Sequence, residues 1–351
     1  MSGMLKDQGL FHFRAGPLQM LLRPRIIGLM TAGLLLLAAL GFSMLPMGSF
    51  TTTTDTLKNF LFASRTGVDS TSALILGDIR LPRILLAVLA GAMLGMAGAA
   101  LQTLTHNPLA DPSLIGVKEG ASVSIILLTF FIPQSSSLLR TIAGFAGGLG
   151  VAIIVIIMAR DLARTRFILI GIGVSWLLHA CLSLFITMAD VKNVQTALIW
   201  LAGSLHGADW QNLSITALWG LIGLILLLAT ARPADASALG TPVATGLGVN
   251  IRRLTAIRLL APVLLTASAV SAIGNLGFVG LIAPHLSRLT LGGGQVSLIC
   301  GSALYGGILV LAADSIGRII FAPLQIPAGI VMAIIGVPFL LVLLWRRRDS
   351  L

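Results

Sequence analysis

The chain has 351 residues, 56% of them hydrophobic and only 10% charged, with a mean hydropathy of +1.00. Soluble globular proteins carry about a quarter charged residues, so this composition excludes an ordinary soluble enzyme and points to a lipid-embedded chain. The formal net charge of +11 does not indicate nucleic acid, because the basic residues lie in short loops between apolar runs and form no basic stripe with interleaved aromatics.

In chain order, residues 1–25 hold charges and no apolar h-region. They read as a cytoplasmic N-terminal segment rather than a cleavable signal peptide. A helix that crosses the hydrocarbon core needs about 20 apolar residues. Apolar runs predict ten such spans, at 26–46, 83–104, 114–132, 139–159, 167–188, 212–230, 254–273, 276–291, 296–316 and 326–345. Together they form one transmembrane domain over 26–345, with a short cytoplasmic tail at 346–351. Ten spans put both termini on one side. Of the 23 Lys and Arg, 15 fall on that side and 7 on the other, with Lys118 inside a span; the positive-inside rule makes the terminal side cytoplasmic. The expected fold class is therefore an all-α membrane protein of about ten transmembrane helices. Cys181 and Cys300 each sit in an apolar run and read as inert thiols.

A weak internal repeat runs through the chain. Leu81-Pro82-Arg83-Ile84-Leu85-Leu86-Ala87 echoes Ala256-Ile257-Arg258-Leu259-Leu260-Ala261. A Pro-containing break follows each, Asn107-Pro108 in one half and Ala283-Pro284 in the other. Five spans separate the halves, so the second is inverted, an arrangement that transporters use with the pathway at the repeat interface. The first break, which includes Asp111 and Pro112, reads either as a loop or as a buried turn, because irregular backbone at membrane depth survives only where protein or water satisfies it. In the second, His285 has no His, Cys or carboxylate three or four residues away, so no metal site is expected. Lys118 and Glu119 add two charges inside a span; adjacent residues do not share a helix face. They are expected to line a pathway or to stand at the cytoplasmic edge.

These residues resemble a known family. Arg80-Leu81-Pro82-Arg83, Ala90-Gly91-Ala92, Gly98, Gln102 and the Asn107–Pro112 stretch are similar to the signature of permeases of binding-protein-dependent ABC importers for iron–siderophores, haem and cobalamin. The resemblance continues through Trp200–Leu205, Leu239-Gly240, Ala244, Leu247-Gly248-Val249, the Phe278–Arg288 block, Ile326–Ile330 and Gly336–Phe339. It implies a ten-helix subunit that pairs with a second copy or a homologue, with two cytoplasmic ATPase subunits and an extracytoplasmic binding protein. It further implies that the segment at about 231–253 couples to the ATPase through Leu239, Gly240, Ala244, Leu247, Gly248 and Val249. By the same resemblance Arg80, Arg83 and Arg318 receive carboxylates of the binding protein, for which the Arg fork is suited. Gln102, Asn107, Pro108, Asp111, Pro112, Lys118, Glu119, Pro284 and His285 mark the breaks and the pathway. The chain has no G-x-x-x-x-G-K-[ST] loop, so no cofactor is expected on it and ATP belongs to the partner subunit. The sequence departs from the family at Lys118-Glu119, at Gln325, where an acid is common, and at Thr241-Pro242-Val243, which replaces an acidic stretch.

The expected function is transport of a ferric siderophore or similar iron chelate across the inner membrane, with no catalysis in this chain. Haem or cobalamin are alternative cargoes of the same family. An ion-coupled secondary transporter, with Asp111, Lys118, Glu119 and His285 as coupling groups, is the alternative from another class. A membrane enzyme is disfavoured because no nucleophile–base pair or ligand cluster is evident.

Overall fold

In the computed structural model the described residues are 11–15, 18–22, 33, 35, 75–132, 134–159, 165–189, 191–321 and 324–347. They form a helical body preceded by one hairpin. Strands β1 (Phe11–Ala15) and β2 (Leu18–Leu22) pair antiparallel, from Phe11 opposite Leu22 to Ala15 opposite Leu18. Apart from this short hairpin the described elements are helical, as the all-α expectation has it.

A π-helical turn, Ile75–Arg80, leads into α1 (Leu81–Leu104), with Pro82 at the helix start, where its missing N–H costs nothing. Then follow α2 (Val117–Phe131), α3 (Ser137–Ala159), α4 (Thr165–Met188), α5 (Val191–Leu201) and α6 (Trp210–Ala229). Two short helices, α7 (Ala231–Ser237) and α8 (Thr241–Gly246), precede α9 (Ile251–Ile273), α10 (Val279–Thr290), α11 (Gln295–Ile319) and α12 (Ala328–Arg347). Among the described residues, seven helices are long and apolar enough to cross a membrane, corresponding to α1, α3, α4, α6, α9, α11 and α12.

Two of the expected spans are shorter than a crossing, and one helix was not expected. The span expected at 26–46 lies outside the described residues apart from two positions. The spans expected at 114–132 and 276–291 are helices of 15 and 12 residues. At 1.5 Å per residue they reach about 22 and 18 Å, short of the roughly 30 Å core. Each begins at a residue with positive φ, Gly116 (φ 79°) or Phe278 (φ 66°), which stops helix from extending backward. Helix α5 was not anticipated; its 11 residues mix Lys192, Asn193 and Gln195 with apolar ones and carry no membrane-length run.

The interior is built on α1 and α9, whose most apolar stretches are 78% buried, whereas that of α4 is 11% buried. Helix α1 packs along α11, α9 packs on α3 and α6, and α1 and α9 pack on each other. The α1–α11 seam is made of backbone. A β-carbon on Gly91 would overlap the Gly306 carbonyl, and one on Gly95 the Ser302 carbonyl. In lipid, where helices gain nothing from hiding apolar surface from water, such close approach supplies the attraction.

This seam separates glycines that are required from those that are not. Gly91→Val is expected to cost at least the roughly 1–3 kcal/mol typical of overpacking. Gly150→Ala, in α3 with nothing within 4 Å of an added methyl, is expected to leave stability unchanged or raise it by up to about 1 kcal/mol. Thermal unfolding of the two variants in detergent checks both.

Candidate functional site: two helix breaks and a protruding segment

The two breaks lie against each other. After α1, Asn107 turns the chain by accepting the Leu109 N–H at 2.9 Å. Asp111 then caps the 3-10 turn Pro112–Ile115, accepting from Ser113 N at 2.9 Å and Ser113 Oγ at 2.6 Å. Asn and Asp favour such local turns because their short side chains imitate the backbone. The second break, Gly274 to Phe278, ends α9 and starts α10.

Lys118 joins the breaks. Its side chain is 4% exposed. Its Nζ donates to the Leu276 carbonyl at 2.9 Å and lies 3.5 Å from Asp111 Oδ1. One cation thus serves a carbonyl that the second break leaves outside a helix and a carboxylate that the first break uses as a cap. Lys118 is a strut between the breaks, and its partner is Asp111, not the neighbouring Glu119. Glu119 is half-buried, and its Oε2 has no hydrogen-bond partner.

Pro284 explains Gln102. A proline inside a helix cannot donate to the carbonyl four residues back, which here is Gly280. Gln102 Nε2 donates to that carbonyl at 3.2 Å from α1, and Gln102 Oε1 accepts from Arg288 Nη1 at 2.6 Å. Gly280 is also tightly enclosed, since a β-carbon there would meet Pro112 at 3.0 Å and Asp111 Oδ2 at 3.1 Å. The structure therefore gathers Gln102, Asp111, Pro112, Lys118 and Pro284 into one junction. It leaves Asn107 and Pro108 at the turn's edge, and His285 on the far side of α10, edge-on to Phe339 with ring centroids 5.6 Å apart.

The three arginines divide. Arg83 is held within the chain, its Nε and Nη2 on the Asp314 carboxylate, with the shortest contact 2.8 Å, and its Nη1 on Gln325 Oε1 at 3.2 Å. Arg318, one turn from Asp314 on α11, is buried, while Arg80 is partly exposed. A cavity of about 150 Å³ opens beside Arg83, lined also by Ser204, His206, Asp314 and Gln325 among others. Sequence reasoning missed Asp314 and His206. The signal for Asp314 was present, an acid inside an apolar run four residues before Arg318.

The segment after α6 is two helices rather than one, because Gly240 (φ 101°) breaks it. Gly248 (φ 81°) turns the chain out of α8, with Val249 N–H on the Ala244 carbonyl at 3.0 Å. Leu239, Val243 and Leu247 are 67%, 48% and 65% exposed, whereas Ala244 is fully buried. Three large apolar side chains thus stand on a short segment pinned to the body, since Asp235 on α7 accepts the Gln295 N–H at 2.9 Å. Among the described residues no group of three or more His, Cys, Asp or Glu converges as a metal site.

Seven membrane-length helices packed with a junction of broken helices define a multi-pass membrane protein. Residues 34–346 match the model of the FecCD transport family, and the chain belongs to that family. Similar relatives include the "Probable siderophore transport system permease protein YfhA" of Bacillus subtilis (strain 168), 37% identical over 333 residues, which are 93% of this chain and 94% of the relative. The "Fe(3+) dicitrate transport system permease protein FecD" of Escherichia coli (strain K12) is 36% identical over 78% of this chain and 86% of its own length. A solved structure described as an inward-facing conformation of a metal-chelate type ABC transporter matches with a TM-score of 0.79 at 29% identity, over 91% of this chain and 98% of that one. The chain is an ABC importer permease, a transport subunit and not itself an enzyme.

The junction makes a stability prediction. Lys118→Met leaves the Asp111 carboxylate and the Leu276 carbonyl without their cation and is expected to cost about 3–5 kcal/mol. Adding Asp111→Asn, which removes the stranded charge and keeps an acceptor for Ser113, is expected to recover part of that loss. Melting curves that show Lys118→Met as stable as the parent would contradict the strut.

Proposed function

We propose that this chain carries a ferric siderophore or a related iron chelate inward across the bacterial inner membrane, as one of a pair of permeases. The pair, a second copy or a homologue, works with two cytoplasmic ATPase subunits and an extracytoplasmic binding protein. ATP is bound and hydrolysed on the partner, and this chain binds no cofactor. The observation that carries the assignment is the pinned segment with Leu239, Val243 and Leu247 exposed. An apolar ridge on a short helix pair suits a groove on a partner, and the named relatives belong to siderophore and ferric-citrate systems.

The full topology in this reading has ten crossings with both termini cytoplasmic. Helices α2 and α10 each complete a crossing with the irregular segment before them, which is tolerated because protein buries it. The pattern of long helix, break, short helix and long helix occurs in α1–α2–α3 and again in α9–α10–α11, which supports an inverted repeat. Substrate enters where the binding protein docks, near Arg80 and the cavity beside Arg83. Movement of the segment at 231–253 then switches the path from outward to inward.

Purification of the tagged protein in mild detergent tests the assembly. An ATPase subunit with a phosphate-binding loop is expected to accompany it; a clean single species that takes up iron when only a membrane potential is supplied would overturn the reading. Leu247→Asp is expected to insert normally and to lose the ATPase in the same purification. Arg80→Glu is expected to weaken binding-protein docking by an amount that shrinks as salt is raised, measured by surface-immobilised binding at two ionic strengths. Arg80 is preferred to Arg83 because reversing Arg83 would also break its pair with Asp314.

A further inference from the structure

Arg258 lies about two turns into α9 and is 2% exposed. Its Nη1 donates to Gln295 Oε1 at 2.8 Å, while Nε and Nη2 are enclosed with no hydrogen-bond partner. A guanidinium offers five N–H donors, and one buried against a single neutral amide is an expensive arrangement. The contrast with the matching arginine of the sequence repeat is direct, because Arg83 is embraced by the Asp314 carboxylate and by Gln325.

A carboxylate stands close by and is engaged elsewhere. Asp235, on α7 of the protruding segment, accepts the backbone N–H of Gln295, the residue whose side chain holds Arg258. It lies tight against Gly294, where an added β-carbon would come within 2.8–3.2 Å of the carboxylate atoms. Helix α7 touches both α9 and α11. The N–H that Asp235 caps belongs to the first turn of α11, whose donors have no partner within the helix and can be served by other acceptors. The enclosed donors of Arg258 have no such substitute.

We propose that Arg258 and Asp235 are a switch pair: when the segment carrying Leu239 and Leu247 shifts, Asp235 leaves the start of α11 and closes onto the unpartnered Nε and Nη2 of the Arg258 guanidinium. The inference rests on the reading of that segment as the ATPase contact. The exchange replaces a capping bond with a charge-assisted pair and gives α9, one of the two central helices, a direct link to the coupling segment. Two discrete arrangements of one carboxylate are what a transmitted switch requires.

The test uses the complete transporter with its ATPase subunits in nanodiscs. It reads the melting temperature of the resting complex and the fraction of complexes that trap nucleotide with vanadate. Asp235→Asn keeps an oxygen for the Gln295 N–H, so the resting melting temperature is expected to hold while trapping falls about tenfold, a typical coupling effect. Arg258→Met is expected to hold or raise the resting melting temperature with the same loss. The exchange of Asp235→Arg with Arg258→Asp is expected to restore trapping, which a merely structural contact would not do. Unchanged trapping in Asp235→Asn and Arg258→Met overturns the switch, as does a sharp drop in resting stability for Arg258→Met without rescue by the exchange. Leu247→Asp run alongside separates the two readings. If it still retains the ATPase, the coupling segment has been misassigned; if it loses the ATPase while Asp235→Asn traps normally, only the switch pair fails.

Discussion

A backbone that leaves the helix inside an apolar body must find partners for its N–H and C=O groups, and the rest of this structure is arranged around that demand. Each unsatisfied group costs several kcal/mol in hydrocarbon. The chain breaks helix in two places and sets the breaks face to face, so that each supplies what the other lacks. Lys118 from the first serves the Leu276 carbonyl of the second. Gln102, just ahead of the first, serves the Gly280 carbonyl that Pro284 leaves without its donor. Neither break is tenable alone, which gives a physical reason for the two halves of the chain to be interleaved rather than side by side.

The interleaving sets the distribution of rigidity. Helix α1 meets α11 through backbone-to-backbone contact at Gly91 and Gly95, while α9 is enclosed by α1, α3 and α6. Such contacts leave little room for sliding, because packed interiors hold discrete arrangements rather than continuous ones. Helix α4 is largely uncovered, so the chain offers other subunits or lipid a broad apolar face while its centre stays closed. The elements most easily displaced are the short ones set off by positive-φ glycines, α7 and α8, and the exposed Leu239 and Leu247 flank them.

Long apolar runs were legible because lipid imposes length directly. The expected spans at 83–104, 139–159 and 254–273 fall within α1, α3 and α9, whose observed ends lie three residues or fewer outside them. The breaks were legible as interruptions, since Pro and Asp in an apolar run admit few explanations. What joins the breaks was not legible. Lys118 read as a charge lining the pathway or standing at the cytoplasmic edge because its bond to the Leu276 carbonyl spans 158 residues of chain, and no local pattern encodes it. The lengths of the two short helices α2 and α10 were misjudged for a related reason: hydropathy counts apolar residues but does not register that Gly116 and Phe278 take left-handed backbone. Helix α5 was invisible because its 11 residues have neither the length of a span nor a clean amphipathic run. Of the arginines read as docking groups, Arg83 was misleading in isolation, because its carboxylate lies on a helix 231 residues away.

The acids show how an economy of charge shapes such a protein. The chain has 12 Asp and Glu against 23 Lys and Arg, and charge is costly to place in lipid. Four of the acids among the described residues hold defined positions: Asp111 caps the 3-10 turn beside Lys118, Asp209 caps α6 through the Asn212 N–H at 2.6 Å, Asp235 caps α11, and Asp314 holds Arg83. Because these four each close a specific donor, moving one of them changes which group is satisfied. A small displacement of α7 can therefore change which donors at the start of α11 are satisfied without any large motion of the long helices.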